Sequence, residues 1–169
     1  MILSILLALL TVAADQLTKY WAKTDLKLVQ DIPLWDGVFH FHYAENTGAA
    51  FSLLSGHSLF FFILTAAVVV AILWFLIRRG KNLDLAVKIA LGLIMGGAIG
   101  NLIDRMAYGY VIDFLYFKLI NFAIFNVADS CLVIGCILMA VYIIFFSEKK
   151  AKEPQESKEN GSGDPPAEG

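Results

Sequence analysis

Four long apolar runs organise the chain. They cover about 2–22, 57–77, 84–104 and 124–146, and each is close to the roughly 20 residues that a helix needs to cross a bilayer. Between the first two runs the pattern changes period. After Asp36-Gly37 the stretch "VFHFHYAEN" alternates, with Val38, His40, His42 and Ala44 on one face and Phe39, Phe41 and Tyr43 on the other. Alternation of this kind predicts a half-buried strand. Trp35 and Tyr43 suit the aromatic belt of a membrane interface. The fold class expected is therefore an all-α membrane protein, a four-transmembrane-helix bundle with a small extracytoplasmic β-sheet lying on the membrane surface. The remaining connection, 105–123, is read as a link back to the membrane.

From Ser147 the material changes again. "SEKKAKEPQESKENGSGDPPAEG" is rich in Glu, Lys, Pro, Gly and Ser and has no aliphatic side chain larger than Ala. Such a segment buries too little surface to offset its ordering entropy. The expected division is an integral membrane domain over 1–146 and a disordered cytoplasmic tail over 147–169. The first run has no positively charged residue before its apolar stretch, so it is read as a retained span rather than a cleaved signal peptide.

Composition agrees with a chain that lives in lipid. Of the 169 residues 59% are hydrophobic and only 17% charged, with a mean hydropathy of +0.70. A net charge of −2 gives no reason to expect a nucleic-acid partner. Placement of the charges says more. Arg78, Arg79 and Lys81 lie between the second and third runs, and Lys149, Lys150 and Lys152 come after the fourth. The positive-inside rule then places both termini and this loop in the cytoplasm, and 23–56 and 105–123 outside. Cys131 and Cys136 are five apart in one apolar run, which suits neither a mutual disulfide nor a metal site; they read as small packing residues. His40 and His42 have no third ligand at a sensible spacing, so no metal is expected.

Charged groups inside spans are expensive, and here they gather at the outer ends. Asp15 and Lys19 are i, i+4 on the first helix and share a face. A local ion pair explains them as well as a functional role does. Gly92, Gly96 and Gly100 form a small-residue stripe for close helix packing. Beyond it, Asn101 and Arg105 share a face, and Asp104 next to Arg105 is open to a surface ion-pair reading. Asp129 in the first turn of the fourth helix is open to a capping reading. Asp113 lies between bulky apolar neighbours, which argues against free solvation. "AENTGAAFS", 44–52, suits a tight loop that brings backbone close to something. Taken together, two carboxylates with amide and cationic support make a candidate acid–base site.

Five blocks in order carry a resemblance: "DQLTK" at 15–19, "NTGAAFS" at 46–52, "GNLIDR" at 100–105, "VIDF" at 111–114 and "FNVADS" at 125–130. The chain resembles the bacterial lipoprotein signal peptidases, the signal peptidase II family. The resemblance implies a four-helix membrane bundle with a small extracytoplasmic sheet and a short amphipathic segment. It implies an aspartic endopeptidase that removes the signal peptide from diacylglyceryl-modified prolipoproteins just before the lipidated Cys. Asp113 and Asp129 would be the catalytic dyad. Asp15, Lys19, Asn46, Gly48, Asn101, Arg105 and Asn126 would bind substrate or support the dyad. The same resemblance implies no cofactor or metal, membrane lipids and prolipoprotein as partners, inhibition by globomycin-type compounds, a monomer, and residence in the bacterial cytoplasmic membrane with the active site at the outer face. The acidic tail matches none of the blocks.

Two other classes compete on the residues alone. A transporter or proton channel would place ionisable groups at several depths along a route. The middles of the second, third and fourth runs carry none. A noncatalytic assembly factor would use the Gly stripe but leaves both Asp residues unexplained.

Overall fold

The computed structural model describes residues 1–48 and 58–146. The tail, the last part of the "NTGAAFS" block and residue 57, where the second run was expected to begin, lie outside the described residues. The chain runs α1 (Ile2–Trp21), a π turn (Ala22–Leu26), a single helical turn α2 (Lys27–Val29), β1 (Asp31–Trp35), β2 (Phe39–Asn46), α3 (Ser58–Arg79), α4 (Leu85–Tyr108), β3 (Val111–Phe117), a 3-10 turn (Lys118–Ile120) and α5 (Val127–Phe145). Among the described residues, four stretches are long and apolar enough to cross a membrane: Ile2–Val29, Leu59–Arg79, Leu85–Tyr108 and Val127–Phe145. The expected helical bundle with a small sheet is the architecture observed.

α4 is the hub. Half of its most apolar window is buried inside the protein, against 6% for α3, which faces outward over most of its length. Glycine makes this possible. A Cβ on Gly92 would lie 2.8 Å from the Ser4 carbonyl oxygen, one on Gly96 2.6 Å from the Thr11 Cβ, and one on Gly100 2.6 Å from the Asp15 carboxylate. The stripe read from the sequence thus seats α1, which presents Ser4, Ala8, Thr11 and Asp15, all buried, against it. Gly97 does the same for α5, since a Cβ there would sit 2.4 Å from the Ala128 carbonyl oxygen. Close backbone approach of this sort is how helices associate where the surrounding solvent is as apolar as their side chains.

Two apolar clusters hold the ends of the bundle. Ala8, Ile72, Leu76, Val87, Leu91 and Met95 pack at the end away from the sheet. Ala22, Leu26, Tyr43, Ile112 and Phe114 pack beneath the sheet. Ala22 and Leu26, one π turn apart, are both fully buried there, while Leu28 and Val29 beyond them are exposed. Gln30, at φ 67°, then turns the chain into β1.

The sheet is antiparallel in the order β1-β2-β3. Its third strand corrects the expectation that 105–123 is a plain link. Gly109, at φ 79°, ends α4 and sends the chain straight into β3. Val111, Ile112, Asp113 and Phe114 are all buried, so this strand shows no alternation and carries no strand signal in the sequence.

A bulge in β2 also corrects the expected face assignment. Phe41 pairs with Leu115, but the next pair is Ala44 with Asp113, so β2 advances three residues while β3 advances two. The alternation that begins at Phe39 is therefore shifted by one before Asn46. Asn46 comes opposite Val111, on the same face as Asp113, a place that an unbroken ladder would have given to Glu45. β1 is tied to β2 by Asp31, whose carboxylate meets Nδ1 of His40 at 2.8 Å and Nδ1 of His42 at 3.1 Å.

α5 starts three residues later than the apolar run suggested. Phe125 is extended and pairs with Leu115, its N–H donating to the Leu115 carbonyl at 3.0 Å. Asn126 then caps the helix.

Candidate active site

The site lies at the sheet end of the bundle and is assembled from α1, β2, α4, β3 and the start of α5. Its base is Lys19, which is 1% exposed. The ammonium donates to Asp15 Oδ2 at 2.9 Å, to Asp104 Oδ2 at 3.0 Å and to Asn101 Oδ1 at 2.9 Å. Its three donors are thereby used. Asp104 is thus a partner of Lys19 and not of Arg105, so the surface ion pair weighed from sequence is not formed. Gln16, unremarked in the sequence, bridges Asp104 Oδ1 and the Gly100 carbonyl.

Each carboxylate of this buried cluster also fixes backbone. Asp15 Oδ1 accepts the Ala128 N–H at 2.9 Å, in the first turn of α5. Asp104 Oδ2 accepts the Ile112 N–H at 3.0 Å, one residue before Asp113. Burying charge without partners would cost several kcal/mol per ion; here each charged atom has one, and the cluster locks four elements, α1, α4, β3 and α5, together.

Lys19 also sets the orientation of Asn101. With Oδ1 held by the ammonium, and by Asn126 Nδ2 at 3.1 Å, the Asn101 amide nitrogen faces Asp129 and donates to Oδ1 at 2.7 Å. Asn126 joins the two Asp residues. Its Nδ2 donates to Asp113 Oδ1 at 2.6 Å, its backbone N–H donates to Asp129 Oδ2 at 3.2 Å, and its Oδ1 accepts the Asp129 N–H at 2.9 Å. The last two bonds form a capping box. Capping, weighed from sequence as an alternative to function for Asp129, is thus present together with the contact to the second carboxyl.

Asp113 takes a further bond from Asn46 Nδ2 at 3.0 Å and is 2% exposed. Burial, reinforced by the Asp129 carboxylate, pushes its pKa up from 3.8 to about 7, against the opposing donors Asn46 and Asn126 and the more distant Lys19. Arg105 donates to the Gly48 carbonyl at 3.1 Å and stacks its guanidinium over the Phe61 ring, 4.7 Å from the centroid. Gly48 in turn donates its N–H to Asn46 Oδ1 at 3.0 Å, so Asn46 is held from behind. All nine residues singled out in the sequence, Asp15, Lys19, Asn46, Gly48, Asn101, Arg105, Asp113, Asn126 and Asp129, converge here. Asp104 and Gln16 join them.

Among the described residues, two openings reach the pair. One, of about 540 Å³, borders Asp129, Asn101 and Arg105 and is walled by Phe125, Leu132 and Val133. The other, of about 620 Å³, borders Asp113 on the side of the sheet. Two carboxyls bridged by Asn126, one of them with a raised pKa, with backbone-fixing groups behind them and space in front, can activate water and protonate a leaving group.

The chain is similar to known proteins over most of its length. The family model for signal peptidase (SPase) II matches residues 7–145. The lipoprotein signal peptidase of Bacillus subtilis strain 168 is 43% identical over 150 residues, which cover 88% of this chain and 97% of the relative. That of Nostoc sp. strain PCC 7120 is 50% identical over 128 residues, covering 75% and 80%. A bacterial membrane enzyme whose structure was solved by the in meso method at 2.3 Å superposes with a TM-score of 0.78 and 33% identity, over 98% of this chain and 94% of that one. With four span-length helices and these relatives, the protein is a multi-pass membrane protein. By the family model and by its relatives, the chain belongs to the signal peptidase II family.

Proposed function

We propose that this chain is an aspartic endopeptidase that removes signal peptides from diacylglyceryl-modified prolipoproteins, cutting just before the lipidated Cys. Family membership supports the substrate class. The observation that carries the aspartic chemistry is the bridge between Asp113 and Asp129 through Asn126, with Asn46 and Asn101 holding the outer oxygens.

In this reading the pair shares one proton. Asp113 carries it near neutrality, and Asp129 takes a proton from the attacking water. As water oxygen bonds to the scissile carbonyl carbon, Asp113 donates to the carbonyl oxygen and a gem-diol forms. The C–N bond then breaks as the proton on Asp129 passes to the departing nitrogen and Asp113 recovers a proton from a diol hydroxyl. Water is consumed, and the pair returns to its starting state without a covalent intermediate. Lys19, Asp15, Asp104 and Asn101 act by fixing the pair and the backbone beside it. Arg105 and Asn46, which line the openings, would hold substrate backbone in this reading.

A site at the sheet end of the span-length helices fits a substrate whose signal helix lies in lipid and whose acylated Cys lies at the membrane surface. Arg78 and Arg79 close α3 at the other end of the bundle and Lys81 follows them, which supports a cytoplasmic position for that end and an outer position for the site. The test is cleavage of a diacylglyceryl-modified prolipoprotein by the wild type, Asp113→Asn and Asp129→Asn, each verified as folded. Near-complete loss in both variants is expected. Normal cleavage by either sinks the dyad assignment.

A further inference from the structure

The two openings at the Asp pair differ in chemistry and meet across it. They share Asn46 and the extended run Phe122–Ile124, which forms a common wall. The Asp129 opening is set between α4 and α5 and is mostly apolar above its polar floor. The Asp113 opening is a groove of the sheet end, bordered by His42, Glu45, Tyr116 and Asn121. These side chains are themselves held. The Tyr116 hydroxyl donates to Asn121 Oδ1 at 2.7 Å, and the His42 ring lies 5.9 Å from the Tyr116 ring and is fixed by Asp31. Glu45 is neutralised by Lys27 at 2.7 Å. Among the described residues, the groove therefore offers hydrogen-bonding groups and the rings of His42, Tyr116 and Phe122, but no unpaired charge of its own beyond Asp113.

A chain cut at this pair must change medium at the scissile bond. On one side of the bond is a signal helix in lipid, and on the other a mature polypeptide bound for water. We propose that the polar groove beside Asp113 binds the first residues after the lipidated Cys in extended form, with Tyr116 and His42 setting which side chains are accepted there. The apolar cavity on the Asp129 side takes the membrane-embedded portion. This assignment rests on the peptidase reading above and adds the direction in which the substrate crosses the site. The volume of about 620 Å³ is within the range of binding clefts and suits one or two small residues. In this assignment a bulky side chain directly after the Cys meets the His42 and Tyr116 rings, which border the groove.

The test uses purified enzyme and two series of diacylglyceryl-modified substrates. One varies only the residue after the Cys, Ser against Trp. The other varies only the residue before it, Gly against Ser. The wild type is expected to favour Ser over Trp after the Cys by about tenfold in kcat/KM, the size of one side-chain contact. Tyr116→Ala should bring that ratio close to one and leave the ratio in the other series unchanged. An unchanged Ser/Trp ratio, or a change confined to the series before the Cys, overturns the assignment. If Tyr116→Ala does not fold, His42→Ala serves with the same expectation. A second measurement does not depend on turnover: a substrate with a benzophenone directly after the Cys, added to Asp129→Asn, should label 38–46 or 111–121. Labelling of Leu132 or Val133 instead overturns the direction. Failure of the wild type to cleave any substrate removes the peptidase reading and this assignment together, whereas cleavage without the ratio change removes this assignment alone.

Discussion

Asp113→Asn should make the protein more stable at neutral pH while abolishing its activity. Below pH 3.8 the Asp113 carboxyl is neutral in both folded and unfolded chains. Between 3.8 and about 7 the unfolded chain ionises there and the folded chain does not. The folded state then holds more protons, so stability falls as pH rises through this window and the loss is complete above about 7. At 1.36 kcal/mol per pH unit the ceiling on that loss is about 4 kcal/mol. Asparagine escapes it, since it cannot ionise. It introduces a pH-independent penalty instead, because Asn46 and Asn126 both donate to Asp113 and one of them would meet an amide NH₂. An unsatisfied buried donor costs about 1–3 kcal/mol. The variant is therefore expected to be less stable than the wild type near pH 4 and more stable by about 1–3 kcal/mol at pH 8. At roughly 2–4 °C per kcal/mol for a chain of this size, the difference in Tm should swing by up to about 8–16 °C between those conditions and change sign. Thermal unfolding of detergent-purified protein, followed by tryptophan fluorescence at several pH values, measures it. A Tm difference that does not vary with pH would refute the reasoning, because Asp113 is the group whose raised pKa creates the pH dependence.

The remaining expectations concern the same network. The pH profile of kcat/KM for cleavage should be bell-shaped, with activity lost as pH rises through about 7, where Asp113 gives up its proton, and lost again on the acid side when both carboxyls are protonated; a profile flat from pH 5 to 9 contradicts a shared proton. Lys19→Met should destabilise by about 3–5 kcal/mol, because it leaves Asp15 and Asp104 buried without their cation, and should lower cleavage by leaving the Asn101 oxygen with only its bond from Asn126; a Tm and rate near those of the wild type would count against the role given to Lys19. Gly97→Ala places a Cβ 2.4 Å from the Ala128 carbonyl oxygen and must displace the start of α5, so activity and Tm should both fall. Gly109→Ala meets nothing within 4 Å and should cost only about 1 kcal/mol for its left-handed backbone, with cleavage retained; equal effects of the two substitutions would show that the α4–α5 contact is not what matters.

The spans are legible in the sequence because lipid imposes long apolar runs, and β2 is legible because that strand is buried on one side. β3 escapes for the opposite reason: Val111–Phe114 are buried on both sides, and a continuous apolar run looks the same as a link pressed against the membrane. The bulge between Phe41 and Ala44 leaves no mark in composition, so alternation assigns the faces of β2 correctly only for its first half. At the site, i, i+4 spacing exposes Asp15 with Lys19 and Asn101 with Arg105. It does not show that Asp104, one residue before Arg105, turns inward to Lys19, since adjacent residues on a helix point about 100° apart. Gln16 escapes in the same way, its polar character being unexceptional until its three acceptors are in place. Convergence of five distant segments is a tertiary fact; the gathering of polar residues at the outer helix ends and the resemblance of the ordered blocks anticipate it, but not the individual contacts.

The bonds that start α5 are also those that join the two Asp residues, and this decides when the site comes into being. During synthesis and insertion, a chain that has made α1 through β3 already contains Asp113, Lys19 and Asn101, but it has no Asn126, no Asp129 and no partner for the Asp15 oxygen that waits for Ala128. In the proposed reading the pair is completed by α5, the last span-length helix among the described residues, and only when its first turn is wound. On that reading, nascent chains of a protease that works among other membrane-bound precursors are inert until α5 has formed.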